Sequence, residues 1–186
     1  MRMPDLQTPR LQIRPVRSED REAIERVFYE VWDSEVPANW LTWATLNPEV
    51  LAGMYQPPYG ERAVVLRETD AVIGLVGLVP AFGPFGTLPG FDTDPSSRAA
   101  HRNTPEVGLY WCLLPEHRGR GYATEAADAL VAFAFETLNL RRIVATTEYD
   151  NTDSLAVMQR LGMQIKRNPN PEPHWFQIIG VKEQNP

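Results

Sequence analysis

Glu106-Val-Gly-Leu-Tyr-Trp-Cys-Leu-Leu-Pro-Glu-His-Arg-Gly-Arg-Gly-Tyr-Ala-Thr-Glu-Ala126 is the stretch whose reading decides the fold. Val107, Leu109, Tyr110, Trp111, Cys112, Leu113 and Leu114 form an apolar, aromatic-rich run that reads as a strand. Pro115 stops it, because a proline cannot donate into a sheet ladder. Gly119 and Gly121 mark a sharp turn, and from Ala123 apolar residues recur with helical spacing.

A strand, a glycine turn and a helix start together make an anion site. The first four N–H groups of a helix have no intrahelical partners, and the helix dipole puts partial positive charge there. Arg118 and Arg120 add full charges whose guanidinium forks match phosphate oxygens, so a pyrophosphate or phosphorylated ribose fits the turn. The amides of Tyr122, Ala123 and Thr124 are the helix-start donors in this reading. A lone Gly-x-Gly is equally at home in an ordinary tight turn, so the motif by itself leaves both readings open.

Arg118-Gly119-Arg120-Gly121-Tyr122-Ala123 resembles the Arg/Gln-x-x-Gly-x-Gly/Ala signature of the GNAT acetyltransferase superfamily. The run from Glu106 through Ala126, Leu140 to Thr146, and Asn151-Thr-Asp-Ser through Leu161-Gly-Met resemble its ribosomal-protein N-acetyltransferase (RimJ/RimL-like) branch. The resemblance spans about residues 104 to 165 and is loose before that. It implies acetyl-CoA as cosubstrate, with its pyrophosphate at the glycine turn. It also implies that backbone N–H groups within Trp111, Cys112, Leu113 and Leu114 hold the pantetheine and polarise the thioester carbonyl.

Composition bounds the rest. A chain of 186 residues with 43% hydrophobic content suits one domain spanning 1–186. A net charge of -6 and a pI near 5.1 argue against a nucleic-acid surface and fit a small or cationic ligand. One cysteine allows no internal disulfide. No apolar h-region opens the chain and no stretch approaches the roughly 18 apolar residues of a membrane span, so the expectation is a soluble cytoplasmic protein without a membrane partner.

Residues 10 to 16 alternate as a half-buried strand ended by Pro15. Ser18 reads as the cap of a helix carrying Ala23, Ile24, Val27, Phe28 and Val31 on one face. Trp32, Trp40, Trp43, Tyr55 and Tyr59 fall in and after a less regular helical region interrupted by Pro37, Pro48, Pro57 and Pro58. Packing and acceptor binding are both open to these aromatics. Arg62–Arg67 and Ala71–Val79 read as an antiparallel hairpin. Residues 80–105, rich in proline and glycine, read as a long loop insertion too broken for helix or central strand. A lid, a subunit-contact arm that would make a homodimer, or a mobile insertion each fits it. Ala123–Leu138 is a helix, Arg142–Glu148 a buried strand, and Asn151 to Ser154 supply caps for a helix ended by Gly162. Residues 163–168 and 174–182 are closing strands.

Acetyl transfer to an amine needs the amine uncharged, and an alkylammonium has a pKa of about 10, so a base must take its proton. Glu106 at the start of the central strand is the candidate base, an exposed strand-end carboxylate being the plainer reading. Many GNAT enzymes protonate the leaving thiolate with a Tyr at the position held here by Met158, which has no proton to give. Ser154 is the alternative acid by resemblance, or simply a helix cap. Asn151 matches the family asparagine that contacts the pantetheine arm, or caps the same helix. Cys112 in an apolar strand reads as inert core. His101, His117 and His174 form no metal spacing, so no metal is expected. A P-loop lacks its Gly-Lys-Ser/Thr, and a Rossmann turn lacks its third glycine, replaced by Thr124.

The chain therefore reads as a mixed α/β domain of GNAT type, with a central, mainly antiparallel sheet flanked by helices. Its expected reaction moves acetyl from acetyl-CoA to an amine-bearing acceptor, a protein N-terminus or a small molecule. The rival reading is a noncatalytic acyl-CoA-binding module on the same fold.

Overall fold

The computed structural model describes residues 1–89, 91 and 97–184. In chain order the elements are β1 Leu6–Gln7, β2 Leu11–Pro15, α1 Arg21–Trp32, α2 Trp40–Gly53, β3 Gly60–Leu66, β4 Val72–Gly83 and β5 Thr104–Leu113. After them come α3 Tyr122–Glu136, β6 Arg142–Thr147, α4 Thr152–Arg160, β7 Gln164–Arg167 and β8 Ile178–Glu183. Among the described residues the strands share one sheet in the order β1-β2-β3-β4-β5-β6-β8-β7. β5 and β6 run parallel, whereas β1–β2, β2–β3, β3–β4, β6–β8 and β7–β8 are antiparallel. This is the mixed, mainly antiparallel α/β architecture expected.

The chain divides into two compact units, Met1–Val79 with Leu109–Phe133, and Pro80–Gly108 with Ala134–Pro186. In the first unit the apolar stripe Ile24, Val27 and Phe28 of α1 is buried with Val16, Leu41, Ala44, Leu75, Cys112 and Leu114. Trp32 and Trp40 pack on Phe28 with ring centroids 4.6 and 5.2 Å away, so these two aromatics are packing residues. Tyr55 is 92% exposed and takes no part in the core. Pro48 does not interrupt α2, which runs through it.

Ser18 is not the cap of α1. It begins a short 3₁₀ turn, Ser18–Asp20, and the working acceptor is Asp20. The Asp20 carboxylate takes two hydrogen bonds of 2.8 Å from the buried Arg14 guanidinium and one of 2.7 Å from Arg17 N–H. A hydroxyl could not have balanced a buried guanidinium, and a carboxylate does. Burial alone would raise the Asp20 pKa, but the Arg14 fork and the Arg17 amide outweigh it and hold it low.

In the second unit, Phe85, Leu88, Phe91, Val144, Phe176, Ile179 and Val181 form the core. Part of the expected 80–105 loop is therefore structural. β4 continues through Pro80 to Gly83, and β5 already begins at Thr104. Pro80 is tolerated because the β3–β4 ladder ends at Gly60↔Leu78, so its missing N–H is not needed there. Phe85 is fully buried, stacking 5.4 Å from Phe91 and meeting Phe176 edge-on at 5.1 Å. Residues 90 and 92–96, within the stretch expected as a lid or subunit arm, lie outside the described residues. The last expected strand also starts late, since His174–Phe176 is a 3₁₀ turn that delivers Phe176 to the core.

Candidate active site

The glycine turn is built as the sequence demands. β5 ends at Leu113, and a 3₁₀ turn over Pro115–His117 follows. Gly119 and Gly121 then adopt φ of +71° and +81°, the left-handed region that other residues enter only with strain. α3 starts at Tyr122, and its first backbone bond is donated by Glu125 N–H to the carbonyl of Gly121, 3.0 Å. The amides of Tyr122, Ala123 and Thr124 precede that bond and have no carbonyl behind them. Among the described residues, no hydrogen bond takes its donor from the Gly119, Arg120 or Gly121 amides either.

Side chains around the turn hold it open. Arg118 Nε donates to the Leu113 carbonyl at 3.0 Å, which ties the turn back to the strand end. Arg10 Nη1 donates to the Arg120 carbonyl at 3.0 Å, and its guanidinium lies 4.5 Å over the Tyr122 ring. Arg10 also holds Glu125, whose carboxylate accepts from Arg10 Nε at 2.6 Å, Arg10 N–H at 3.0 Å and the Thr8 hydroxyl at 2.6 Å. Burial would raise the Glu125 pKa, but Thr8 and Arg10 hold it below its usual value. An acid in the first turn would repel an anionic ligand; Arg10 cancels its charge.

Two polar atoms beside the turn are buried without partners, Thr124 Oγ1 and His117 Nδ1. A Cβ at Gly119 would meet nothing within 4 Å. Free amides, orphaned polar atoms, an open backbone and the Arg118 and Arg120 charges fit a diphosphate.

Along β5, Leu114 N–H donates to the Ile73 carbonyl at 3.0 Å, so that amide is committed inside the sheet. Alternation then points the amides of Trp111 and Leu113 to the opposite edge, away from β4. Pairing of β5 with β6 among the described residues is at Gly108↔Val144. Of the four residues Trp111 to Leu114, Trp111 and Leu113 are thus the ones with amides left for a ligand. The Cys112 thiol is buried, accepts from the Tyr110 hydroxyl at 2.9 Å, and has its pKa raised by that burial, so it stays a thiol and fits inert core.

The other predicted residues belong to the second unit. Both Glu106 oxygens accept from Arg142, Nε at 2.9 Å and Nη2 at 2.8 Å, and the two side chains are only 11% and 13% exposed. Arg142 also stacks 4.4 Å over Phe91 and lies 3.8 Å from Glu183. Asn151 is the cap of α4, its Oδ1 accepting from Ser154 N–H at 3.0 Å, so the Ser154 hydroxyl is not the cap. No hydrogen bond joins the Glu106–Arg142 pair to the Asn151–Ser154 pair among the described residues. Met158 is fully buried and packs against Gly180, whose added Cβ would stand 3.0 Å from its sulfur. Among the described residues no cluster of His, Cys, Asp and Glu suits a metal.

Sequence reasoning missed Arg142 as the Glu106 partner, Arg10 and Glu125 as the brace of the turn, and Glu61 of β3, a buried carboxylate with an oxygen that has no partner. A carboxylate at the opening of a strand that turns apolar after Arg62 was the available signal for Glu61.

A family model described as "Acetyltransferase (GNAT) domain" matches residues 10–164. The chain belongs to the GNAT acetyltransferase family. It is similar to the uncharacterized N-acetyltransferase YnaD of Bacillus subtilis (strain 168), 28% identical over 161 residues, covering 84% of this chain and 81% of that protein. The crystal structure of an acetyltransferase from Agrobacterium tumefaciens str. C58 is 28% identical with a TM-score of 0.69, covering 99% of this chain and 96% of that one. A RimL ribosomal-protein acetyltransferase solved in complex with coenzyme A shares the fold at a TM-score of 0.58 and 13% identity, covering 95% of each chain. The chain is an acetyltransferase. Among the described residues no helix is long and apolar enough to cross a membrane.

Proposed function

We propose that this GNAT enzyme transfers the acetyl group of acetyl-CoA to a primary amine on a protein N-terminus or small molecule, as RimJ/RimL-like enzymes do. The observation that carries the reading is the set of amides at the start of α3 that have no partner among the described residues, flanked by the orphaned Thr124 Oγ1 and His117 Nδ1. In this reading Arg118, Arg120 and those amides take the diphosphate. Asn151 Nδ2, which the helix cap leaves free, takes the pantetheine, and Trp111 and Leu113 amides polarise the thioester carbonyl. The amine nitrogen attacks the acetyl carbon directly, the carbon–sulfur bond breaks, and the thiolate leaves to be protonated. The Ser154 hydroxyl is the acid expected for that step, and Met158 cannot be. Glu106 is the carboxylate expected from the family resemblance to act as base, although Arg142 occupies both its oxygens.

The test is release of free thiol from acetyl-CoA over a panel of peptides with free N-termini, polyamines, aminoglycosides and amino acid derivatives. Thiol release with at least one amine, together with calorimetric binding of coenzyme A, is expected. Tight binding with no thiol from any amine means that the chain is a noncatalytic acyl-CoA-binding module, the reading that the buried Met158 favours. No calorimetric binding refutes both.

A further inference from the structure

Buried carboxylates in this protein come in two kinds. Asp20 and Glu106 each hold an arginine fork. Among the described residues Glu61 holds none: its Oε2 is buried with no hydrogen-bond partner. An unpaired buried carboxylate is expensive, and such groups survive where a ligand completes them.

The surroundings of Glu61 say what that ligand is. Glu61 pairs with Gly77 across β3–β4, and a Cβ on Gly77 would stand 2.4 Å from the Gly60 carbonyl and 3.0 Å from Glu61 Cα. The β3 and β4 backbones approach too closely here for any side chain at position 77, so none from that position reaches the Glu61 carboxylate. On β5, Tyr110 and Cys112 lie close enough for the Glu61 charge to act on both. The Tyr110 hydroxyl is not a donor to it, because it gives its single proton to the Cys112 sulfur at 2.9 Å. From α2, Asn47 Nδ2 and the Trp43 ring reach the adjacent Gly60, and Asn47 Nδ2 gives one of its two protons to the Tyr59 carbonyl at 2.7 Å. On β3 itself, Arg62 points its guanidinium at the Pro4 and Ile13 carbonyls and toward Asp5. Among the described residues none of these groups gives a hydrogen bond to Glu61 Oε2, and the adjacent Arg62 Nε is likewise buried without a partner. The site is a carboxylate oxygen without a partner, with Tyr110 and Cys112 of β5 within reach of its charge, and a cation suits it.

We propose that Glu61 is the acceptor-site carboxylate of this enzyme: it binds the acceptor's ammonium and takes the proton that must leave before the amine attacks. This rests on the acetyltransferase reading above. The step balances simply. R–NH3⁺ gives a proton to the Glu61 carboxylate, the freed lone pair forms the N–C bond, and the C–S bond electrons leave with the CoA sulfur. The amide nitrogen loses its second proton, the thiolate gains one, and one net proton goes to solvent. Burial also raises the Glu61 pKa above its ordinary value, which brings the carboxylate closer to the operating pH of a base.

The experiment compares wild type, Glu61→Gln and Glu106→Gln in thiol release against the best amine of the panel, across pH, with calorimetric titration of coenzyme A and a thermal melt. For Glu61→Gln, kcat should drop about 100-fold or more, in the range typical of a lost general base, and the acid limb of the pH profile should vanish. Coenzyme A affinity should stay within about threefold of wild type, and the melt should not fall, since an unpaired buried charge has been removed. A Glu61→Gln enzyme that keeps kcat and the acid limb overturns the assignment while leaving the acetyltransferase function intact. A loss of both effects in Glu106→Gln instead assigns the base to Glu106 and also overturns it. A wild type that releases no thiol with any amine refutes the function and this assignment together.

Discussion

Glu106→Gln separates a structural from a chemical role for the residue that the sequence nominates. In the wild type two charge-assisted hydrogen bonds of 2.9 and 2.8 Å join Glu106 to Arg142, with side chains 11% and 13% exposed. Removing one partner of a buried pair costs roughly 3–5 kcal/mol, because the other charge is left uncompensated. Glutamine keeps one acceptor oxygen, and Arg142 keeps its contact with Phe91 and the more distant Glu183, so the cost falls to or just below the bottom of that range, about 2–3 kcal/mol. For a chain of this length that is a fall in melting temperature of roughly 4–12 °C. Circular-dichroism melts of Glu106→Gln, Arg142→Met and the double variant supply the assay, and the cycle isolates the pair. The two single losses should exceed the double loss, because a lone buried charge is worse than none. Single variants that melt within about 1 °C of wild type would refute the reasoning. Activity measured well below the melt then decides the role: a structural clamp leaves kcat near wild type, whereas a base loses it by about 100-fold or more.

Three further outcomes follow from the same geometry. Gly119→Ala has room for its Cβ but must hold φ near +71°, so it should cost roughly 1–2 kcal/mol in a denaturant melt and weaken coenzyme A binding by calorimetry. Arg10→Gln uncovers the Glu125 charge at the start of α3 and should weaken coenzyme A binding about two- to fivefold at low salt; Arg10→Gln with Glu125→Gln should restore it. The Glu61 carboxyl titrates above its ordinary value of about 4.5 in the folded chain, so the folded state holds its proton more tightly than the unfolded one. Stability from this group is full below pH 4.5 and is lost as pH rises toward the folded pKa, so Glu61→Gln should match wild type in acid and exceed it at neutral pH in urea melts.

What could be read in the sequence was local. The strand, turn and helix from Glu106 to Ala126 follow from a proline stop, two glycines and a helical apolar period, each a property of a few neighbouring residues. The cap and end of α4, Asn151 and Gly162, follow for the same reason. What could not be read depends on partners far along the chain. Phe85 looks like a loop residue until Phe176, ninety-one positions later, meets it in the core. Ser18 looks like a cap until Arg14 needs a carboxylate and takes Asp20 instead.

The same distinction explains why a site search by motif stops at the cosubstrate. Diphosphate recognition uses backbone amides, which one turn can supply, so its residues stand together in the sequence. A base is useful only where neighbouring donors are absent, and that absence is made by elements widely apart. Glu61 Oε2 lies without a partner because its cross-strand neighbour Gly77 has no side chain and because Tyr110 has turned its proton to Cys112. None of these facts is a property of the residues beside Glu61 in the chain. Restoring a donor should therefore silence the carboxylate as surely as removing it. Cys112→Ala would free the Tyr110 hydroxyl to turn toward Glu61. If Cys112→Ala, a change of a buried thiol to a smaller apolar side chain, lowers kcat and moves the acid limb to lower pH while Glu61→Gln abolishes that limb, the limb belongs to a carboxylate whose basicity rests on having no neighbour to bond. An acid limb that Cys112→Ala leaves in place, in a folded enzyme, would show that the Tyr110 proton has no bearing on Glu61.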